Sequence, residues 1–341
     1  MSMKLEEFAR ESRATHKGDK SGVPIVGLEH LIPQEIKFSG YDVDTENTFT
    51  KTFKKGQILF GRRRAYLKKA AIADFDGICS GDITVIEAIP GKVDPLLLPF
   101  IIQNDNFFDY AVSRSAGGLS PRVKWEHLKD YEFDLPPIEE QRMLADKLWA
   151  AYRLKESYKK LLTATQEMVK SQFIEMFYGE YPHESWEDCL TITNGKKYPD
   201  EYLEAGTYPI CGSGGIMGYG DHKLCSKNTT ILGRKGNINS PIYMDTDYWI
   251  VDTAFSLDVN HEKLHPKYFY YWCILFDFTK YNKQGVLPSL TKNDLLKIVM
   301  PIPPMNEQIK FVQILEQADK SEFELRKSID AIDQVIKSLI N

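Results

Sequence analysis

The sequence lacks several features that mark whole classes of protein. Its 341 residues contain no apolar run near the ~20 residues that a membrane span needs, and no charged-then-apolar leader at the N-terminus. Its five cysteines are scattered and form no CxxC pair, which predicts free thiols in a cytoplasmic protein. A net charge of −5 gives no overall excess of positive charge for nucleic acid, although such a total can conceal local basic surfaces.

Convincing enzyme motifs are also missing. HEKLH (261–265) has the HExxH spacing of zinc peptidases, but Pro266 disfavours the uninterrupted helix on which both histidines would have to lie. CGSGGIMGYG (211–220) does not fit GxGxxG and has no phosphate-loop lysine, so a turn that serves the fold is the simpler interpretation. DLPP (134–137) lacks the following aromatic ring that a methyltransferase would stack on its target base. We therefore expect no catalytic residues and no metal site, with a zinc hydrolase as a rival that a metal assay would test.

What the sequence does contain is an internal repeat. GLSPRVKWEHLKDYEFDLPPIEEQ (118–141) aligns with GVLPSLTKNDLLKIVMPIPPMNEQ (285–308) at a constant offset of 167 residues. Upstream the offset is 172, which places ILFGRR (58–63) beside TILGRK (230–235). The change of offset is what a loop of different length would produce. The chain is therefore predicted to consist of two related halves.

Each half ends in a long helical pattern that follows a PPxxEQ sequence. Prolines followed by glutamate are a signal for a helix N-terminus. Apolar residues then recur at alternating three- and four-residue steps for roughly 35–40 residues, which is typical of a coiled coil. The alternative is two ordinary amphipathic helices in separate cores. The predicted helix-pairing seam consists of Leu144, Leu148, Ala151, Tyr158, Leu162 and Val169 in the first helix, and Phe311, Leu315, Ala318, Leu325, Ile329, Ile332, Ile336 and Leu339 in the second.

Two charged residues interrupt this seam. Lys155 and Glu322 occupy equivalent positions in the two helices and carry opposite charges. In an antiparallel pair related by a pseudo-two-fold axis, positions in the middle of the helices meet. We therefore hypothesise that Lys155 and Glu322 face each other.

The segments that precede the two long helices differ from them in composition. Short β-branched runs such as ITVIEAI (83–89) and TTILG (229–233) are separated by Gly, Asn and Asp, which predicts strands and turns. We predict an α/β (mixed α+β) fold with two globular domains separated by two long antiparallel coiled-coil helices, built as a pseudo-two-fold internal repeat. The expected bounds are 1–135 for the first domain, 136–180 for the first helix, 181–302 for the second domain and 303–341 for the second helix.

Basic segments occur at the same place in both halves, and a glycine- and proline-containing loop forms a second shared pair. Arginine can pair with guanine and asparagine with adenine, so these segments are candidates for DNA contact. The alternatives are a solvated basic loop and a loop whose glycine and proline only build a turn. The candidate DNA-binding residues are Arg62, Arg63, Arg64, Lys68, Lys69, Ser120, Arg122 and Lys124 in the first half, and Lys227, Arg234, Lys235, Asn237, Asn239, Ser289, Thr291 and Lys292 in the second.

These features together resemble a known family. The PPxxEQ helix starts, the duplicated plan and the run YPICGSGGIMGYGD…TTILGRKGNINSPIY…DTAFSL are similar to the DNA-specificity (S) subunits of Type I restriction–modification systems, over essentially the whole chain. The resemblance implies two target-recognition domains, each reading one half of a split DNA sequence. It also implies helices that act as a ruler and as a docking site.

The same resemblance implies the partners. They are double-stranded DNA, two methyltransferase (M) subunits and, where present, restriction (R) subunits, in the cytoplasm and without a membrane. No cofactor is expected on this chain, because S-adenosylmethionine belongs to the M subunit, and ATP and magnesium to the R subunit. The alternative function is a scaffold or assembly protein on the same duplicated fold that does not bind DNA, which a weak dependence of binding on salt would reveal.

The first domain departs from the family pattern. It has no evident counterpart of the GSGG segment, and it begins with LEEFARESRATHKGDKSGVPIVGLEHL (5–31) where the family often has a strand that starts with tryptophan. These differences make the base contacts of the first domain harder to predict than those of the second.

Overall fold

The computed structural model describes residues 2–179, 181–282 and 287–340. Gly285, which the repeat aligns with Gly118, lies outside these residues. The chain divides into two compact units. Unit 1 comprises Met1–Lys160 with Leu325–Asn341, and unit 2 comprises Leu161–Glu324, so each long helix contributes to both. None of the helices within the described ranges has the length and apolar character that a membrane span needs.

Unit 1 combines short strands with helices. Its strands are β1 (Ser2–Lys4), β2 (Ala9–Glu11), β3 (Ile25–Val26), β4 (Lys51–Phe53), β5 (Ile58–Gly61), β6 (Ala70–Ile72), β7 (Gly77–Cys79), β8 (Ile83–Ala88) and β9 (Glu132–Asp134). Its helices are α1 (Leu5–Phe8), α2 (Leu98–Ile102), α3 (Asp105–Ser113), α4 (Trp125–Leu128) and the first part of α5 (Ile138–Phe177), with 3-10 turns at Leu28–His30 and Ala65–Leu67.

Unit 2 contains the second part of α5 and a similar set of elements. Its strands are β10 (His183–Ser185), β11 (Leu190–Asn194), β12 (Tyr208–Gly212), β13 (Gly215–Gly220), β14 (Thr229–Gly233), β15 (Ile242–Met244), β16 (Trp249–Ile250), β17 (Ala254–Val259) and β18 (Val299–Pro301). Its helices are α6 (Trp186–Cys189), α7 (Pro266–Leu275), α8 (Lys292–Leu295) and the first part of α9 (Met305–Ile340), with a 3-10 turn at Phe278–Tyr281.

The sequence repeat is also a structural repeat. The main sheet of unit 1 has the strand order β2-β8-β5-β6, and that of unit 2 has the order β11-β17-β14-β15, with every neighbouring pair antiparallel. In each unit a further two-stranded ribbon, β1-β9 or β10-β18, precedes a long helix. The predicted mixed α/β fold with duplicated domains and long helices is confirmed.

The first unit retains part of the element that it was expected to lack. VPIVG (23–27) contains β3, which pairs in parallel with β7, and YPICG (208–212) forms β12, which pairs in parallel with β16. The strand is therefore present in both units. The difference lies after it, where unit 2 has the GSGG turn and unit 1 has the 3-10 turn Leu28–His30.

The central strands are apolar because both of their faces are covered. Phe60 on β5 packs against Phe107 and Phe108 of α3, with ring centroids 5.5 Å apart in both contacts. Its neighbour Leu59 points into a second buried cluster, which includes Val26 of β3. Unit 2 repeats this arrangement, with Leu232 and Ile231 of β14 in different clusters. The five cysteines, Cys79, Cys189, Cys211, Cys225 and Cys273, are free and buried.

The PPxxEQ glutamines tie each long helix to its own unit. The side chain of Gln141 accepts a hydrogen bond from Asp94 N at 2.9 Å and donates to Pro136 O at 2.9 Å. Gln308 accepts from His265 N at 2.7 Å and donates to Pro303 O at 2.8 Å. Both glutamines are buried, so a buried amide satisfies the same two backbone groups in each half.

Parts of both long helices pack together within each unit. In unit 1 the start of α5 meets the end of α9, where Lys155 Nζ donates to Asp333 Oδ1 at 2.7 Å. In unit 2 the end of α5 meets the start of α9, where Gln166 Nε2 donates to Glu322 Oε2 at 3.0 Å. Both contacts are those of antiparallel helices.

Two expectations about the seam need correction. Lys155 is buried and forms ion pairs with Asp333 and Glu35 of unit 1, so its partners are not the expected Glu322. Leu339 is 37% exposed, whereas the next residue, Ile340, is 6% exposed and joins the core of unit 1. The end of α9 therefore buries Ile340 in place of Leu339, and Asn104 of unit 1 donates a hydrogen bond to the carbonyl of Ile340 at 3.3 Å.

Candidate nucleic-acid interface

Two of the predicted segments meet in unit 1. They are the basic loop after β5 (residues 61–69) and the hairpin loop before α4 (residues 116–124). The amide of Val123 donates to the carbonyl of Arg62 at 3.0 Å, and the amide of Arg64 donates to the carbonyl of Pro121 at 2.8 Å. The fold thus joins these two segments, which are distant in sequence, through their backbones.

Unit 2 joins the corresponding segments in the same way. Its basic loop (residues 233–239) follows β14, and its hairpin loop (residues 287–292) leads into α8. The amide of Leu290 donates to the carbonyl of Arg234 at 2.9 Å, and the amide of Gly236 donates to the carbonyl of Pro288 at 2.9 Å. Each of these residues lies at the repeat offset from its partner in unit 1. The same backbone connection therefore presents different side chains in the two halves.

Three arginines gather on the joined loops of unit 1, and we call Arg63, Arg64 and Arg122 the arginine cluster. Arg122 donates through Nε and Nη2 to the two carboxylate oxygens of Asp82, at 2.7 and 3.2 Å. Arg63 reaches Asp82 at 3.4 Å and Ser120 Oγ at 3.1 Å, and Arg64 reaches Ser120 Oγ at 3.3 Å. The hydrogen bond from Arg122 lowers the pKa of Asp82, so this carboxylate is ionised at neutral pH. One negative charge against three positive charges leaves the cluster cationic.

The backbone at Arg64 is unusual for a residue with a side chain. Arg64 has φ +53°, in the left-handed region, where the aligned residue of unit 2 is Gly236 with φ +78°. Glycine adopts this conformation without a steric penalty, whereas a residue with a Cβ is strained by about 1–2 kcal/mol. Unit 1 thus holds an exposed arginine in a strained position, and strain of this kind is frequent at functional sites.

The other basic candidates of unit 1 divide into two groups. Lys124 is exposed at the start of α4, and Arg62 is half-buried with an Nε that has no hydrogen-bond partner among the described residues. Lys68 forms an ion pair with Asp105 at 2.5 Å, and Lys69 donates to the carbonyl of Leu28 at 2.8 Å. The ammonium groups of Lys68 and Lys69 thus have partners within unit 1, and their contact with DNA stays a prediction.

In unit 2 the basic loop carries three exposed candidates, Lys235, Asn237 and Asn239. The guanidinium of Arg234 lies 5.8 Å from the centre of the Phe255 ring, and Ser289 lies half-buried on the hairpin loop. Beside them is the glycine-rich turn, since a Cβ added to Gly236 would lie 4.0 Å from Ser213 Oγ. This surface offers an ammonium group and a carboxamide where unit 1 offers guanidinium groups.

Of the remaining candidates in unit 2, three have partners within the unit, and Lys227 lies apart from the joined loops. Lys227 precedes β14 whereas Arg234 follows it, so the length of the strand separates Lys227 from the loops. The side chain of Asn239 accepts a hydrogen bond from Phe278 N at 2.8 Å. Thr291 caps α8, and Lys292 donates to the carbonyl of Ile192 at 2.7 Å. Contact of these four residues with DNA stays a prediction.

The HEKLH segment has no zinc-peptidase geometry. His265 caps the N-terminus of α7, where its ring accepts a hydrogen bond from Lys267 N at 3.2 Å, and His261 lies in the preceding turn. The two rings therefore do not share a helical face. Elsewhere in the described ranges, one group of possible metal ligands lies close together at Glu29, His30 and Asp42, although Nδ1 of His30 already accepts from Gly27 N.

Sequence reasoning missed two residues of this surface. Asp82 lies in the turn between β7 and β8, and only the folded chain brings it to Arg122, 40 positions away. Leu119 stands 97% exposed at the tip of the hairpin loop of unit 1, next to two glycines. An isolated leucine between glycines and serine was a visible signal, because a loop tip has no need of a large apolar side chain.

Comparisons with known proteins indicate the family of the chain. The family described as "Type I restriction modification DNA specificity domain" matches residues 8–164 and 185–334. The specificity subunit of the Type I restriction enzyme EcoDI from Escherichia coli is 27% identical over 173 residues, which cover 47% of this chain and 38% of that one. A putative Type I restriction enzyme MjaX specificity subunit from Methanocaldococcus jannaschii is 23% identical over an alignment of 391 positions, covering 99% of this chain and 90% of that one.

Solved structures share the fold. The S subunit of a Type I restriction–modification system from M. genitalium aligns with a TM-score of 0.65 and 14% identity, covering 100% of this chain and 96% of that one. A chain from a study of complex assembly and conformational transition of the Type I R-M system aligns with a TM-score of 0.61 and 18% identity, with 100% and 96% coverage.

Proposed function

Since this chain belongs to the family of Type I restriction–modification DNA specificity subunits, we propose that it reads a split DNA target with one loop pair in each unit. A specificity subunit is a recognition component, so the chain is not an enzyme and carries no cofactor of its own. In this proposal, unit 1 and unit 2 each read one half of the target. The methyl donor and the methyl-transfer chemistry come from M subunits.

The observation that carries the proposal is the repeated backbone connection between the basic loop and the hairpin loop. The same two hydrogen bonds hold the loops together in both units, while the exposed side chains differ. Arginines in unit 1 suit guanine and phosphate, whereas Lys235 and Asn237 in unit 2 suit phosphate and adenine. Two surfaces with one backbone and different chemistry are what the reading of two unlike half-sites requires.

The roles within each surface follow from exposure and from existing partners. Arg64 and Lys124 are exposed in unit 1 and are assigned to phosphate, with Arg62 beside them. In unit 2, Lys235 is assigned to phosphate and Asn237 to a base. Phosphate contacts fix the register of a protein on DNA, and base contacts supply the sequence preference.

A second part of the proposal concerns the long helices. Leu161 and Met168 lie seven residues apart on the part of α5 that belongs to unit 2, and both are exposed. These residues do not belong to the seam, and exposed apolar residues in a regular row mark surfaces that bind other proteins. We assign this row to the docking of two M subunits in the cytoplasm, which R subunits join where they are present.

The test of DNA reading uses the full chain with its M subunit. We expect DNA affinity to fall steeply with salt, because each neutralised phosphate adds about 0.9 to the slope of log affinity against log salt concentration. Lys235→Ala with Asn237→Ala should reduce that slope by about 1 and relax the sequence preference of one half-site. The control Lys92→Ala removes an exposed charge from a turn outside the loops and should change neither.

The dependence of DNA affinity on salt concentration also distinguishes the proposed function from the scaffold alternative. A complex that retains M subunits but shows no salt-dependent binding to any DNA would be a scaffold, and the proposal of DNA reading would be wrong. For the docking surface, Leu161→Asp should abolish co-purification of M with the chain and leave its thermal unfolding unchanged. Thr163→Asp, which places the same charge at an exposed position of α5 two residues from Leu161 and therefore on a different face of the helix, is the matched control.

A further inference from the structure

We propose that Arg122 reads a guanine in the half-site of unit 1, and that Asp82 is the positioning residue that holds its guanidinium for this purpose. The inference deepens the proposed function and rests on it. It assigns a base class to one side chain and a role to a carboxylate outside the basic segments.

The argument begins with the geometry of the guanidinium. Asp82 accepts from Nε and Nη2 of Arg122, so both oxygens lie along one edge of the planar fork, at 2.7 and 3.2 Å. An arginine side chain has five N–H donors, and this pairing leaves Nη1 and one N–H of Nη2 available. Those donors form the outer edge of the fork, which is the pair of parallel donors that matches O6 and N7 of guanine.

The side chain is both accessible and fixed. The Arg122 side chain is 45% exposed, so a base edge can reach the outer donors. Its backbone exchanges two hydrogen bonds with Ala116, at 2.9 and 3.0 Å. Asp82 is held as well, because its carbonyl accepts from Arg62 N at 3.0 Å and its amide donates to Ser80 Oγ at 3.2 Å. A guanidinium that is ordered before binding loses less conformational entropy when the base arrives.

The neighbouring arginines do not fit the same role. Arg63 donates from Nη1 to Asp82 and from Nη2 to Ser120, so its outer edge is already occupied by the protein. Arg64 has an exposed guanidinium with only a 3.3 Å hydrogen bond to Ser120, which suits a phosphate better than a fixed base contact. Of the three arginines, Arg122 alone combines a held inner edge with a free outer edge.

Unit 2 has no such pair at the corresponding place. Ser289 aligns with Arg122. The counterpart of Asp82 is Thr253, because the carbonyl of Thr253 accepts from the amide of Arg234 just as the carbonyl of Asp82 accepts from the amide of Arg62. The arginine–aspartate pair is therefore specific to unit 1 and its half-site. The second half-site provides an internal control for every variant.

The experiment measures the base preference of the complete complex with M subunits on a DNA library in which both half-sites are randomised. Arg122→Ala should reduce the preference for guanine at one position of one half-site by about 5- to 150-fold. Arg122→Lys should not restore it, since an ammonium group is a point charge without a fork. Asp82→Asn should weaken the same preference several-fold. Asp74→Asn removes an exposed carboxylate of unit 1 that has no contact with the cluster, and it should leave the preference intact.

A second readout tests the contact itself. Replacing the critical guanine by 7-deazaguanine removes the N7 acceptor, so it should weaken binding by the wild-type complex and have little effect on Arg122→Ala. The inference is wrong if Arg122→Ala keeps every base preference. It is also wrong if Asp82→Asn raises the affinity for all sequences equally, because Asp82 would then only neutralise positive charge. It is wrong as well if Asp82→Asn weakens the base preference in both half-sites equally, because Asp82 would then have a purely structural role. If the wild-type complex shows no sequence preference at all, the proposed function itself fails.

Discussion

The glycines at the start of the two basic loops allow a matched pair of perturbations. Gly233 ends β14 and Gly61 ends β5, and the repeat aligns them. A Cβ at Gly233 would lie 1.8 Å from the carbonyl oxygen of Asn237, whereas a Cβ at Gly61 would have its nearest neighbour, the carbonyl oxygen of Lys69, at 3.1 Å. The same substitution therefore clashes with a backbone carbonyl in unit 2 and makes only a close contact with one in unit 1.

The magnitude follows from these distances. Gly233→Ala must push the backbone at Asn237 away by about 1 Å or more, and overpacking of this kind costs about 1–3 kcal/mol. Gly61→Ala needs a shift of a few tenths of an ångström. The reduced freedom of the unfolded chain, worth about 0.4–1 kcal/mol, offsets that small strain. We expect Gly61→Ala to change the free energy of unfolding by less than about 1 kcal/mol.

The assay combines stability with recognition. Thermal unfolding of the full chain should show a clear decrease for Gly233→Ala and almost none for Gly61→Ala, at about 2–4 °C per kcal/mol for a unit of this size. In complex with M, Gly233→Ala should lose sequence preference in the half-site of unit 2 and retain that of unit 1. Equal effects of the two variants, or a Gly233→Ala protein that reads both half-sites normally, would refute the packing described for the basic loop.

Three further outcomes follow from the structure. Arg64→Gly should raise the free energy of unfolding by about 1 kcal/mol, because it relieves a left-handed arginine, and should lower DNA affinity; urea unfolding and a binding titration would check both signs. Lys155→Ala should cost about 1–3 kcal/mol, since Asp333 loses its ion-pair partner while Glu35 keeps Lys159, whereas Glu322→Ala should cost less than about 1 kcal/mol; equal losses would contradict the ion pairs described here. Burial lowers the pKa of His265 below its ordinary 6.5, so the neutral ring contributes stability above that pH which is lost as the pH falls through the folded pKa. His265→Asn retains a capping group that does not titrate, and unfolding curves from neutral to acid pH should show less loss of stability for this variant than for the wild type.

The sequence predicted the duplicated architecture well, because a repeat constrains many positions at once. From the sequence alone, the constant offsets align the basic loops and the hairpin loops of the two halves. The counterpart of the glycine-rich strand was missed in unit 1, since VPIVG (23–27) lies 185 positions from YPICG (208–212), an offset that differs from the rest of the repeat.

Side-chain roles were much harder to predict. Lys292 and Lys235 look alike in sequence, yet Lys292 donates to a carbonyl within unit 2 and Lys235 is exposed. A heptad pattern tells which face of the helix Lys155 occupies, but its partner Glu35 comes from the globular part of unit 1. Partners that are distant in sequence decide whether a charge holds the fold or faces solvent, and no local pattern contains them.

The two backbone hydrogen bonds that join the loops in each unit have a consequence for how targets change over generations. They use only amide and carbonyl groups, so substitution of the side chain at Arg122 or Ser289 leaves the framework of the surface standing. Under the proposed function, one base-contacting residue can therefore replace another without a compensating change in the fold. In that proposal, the base preference of one half-site can change while the preference of the other is retained.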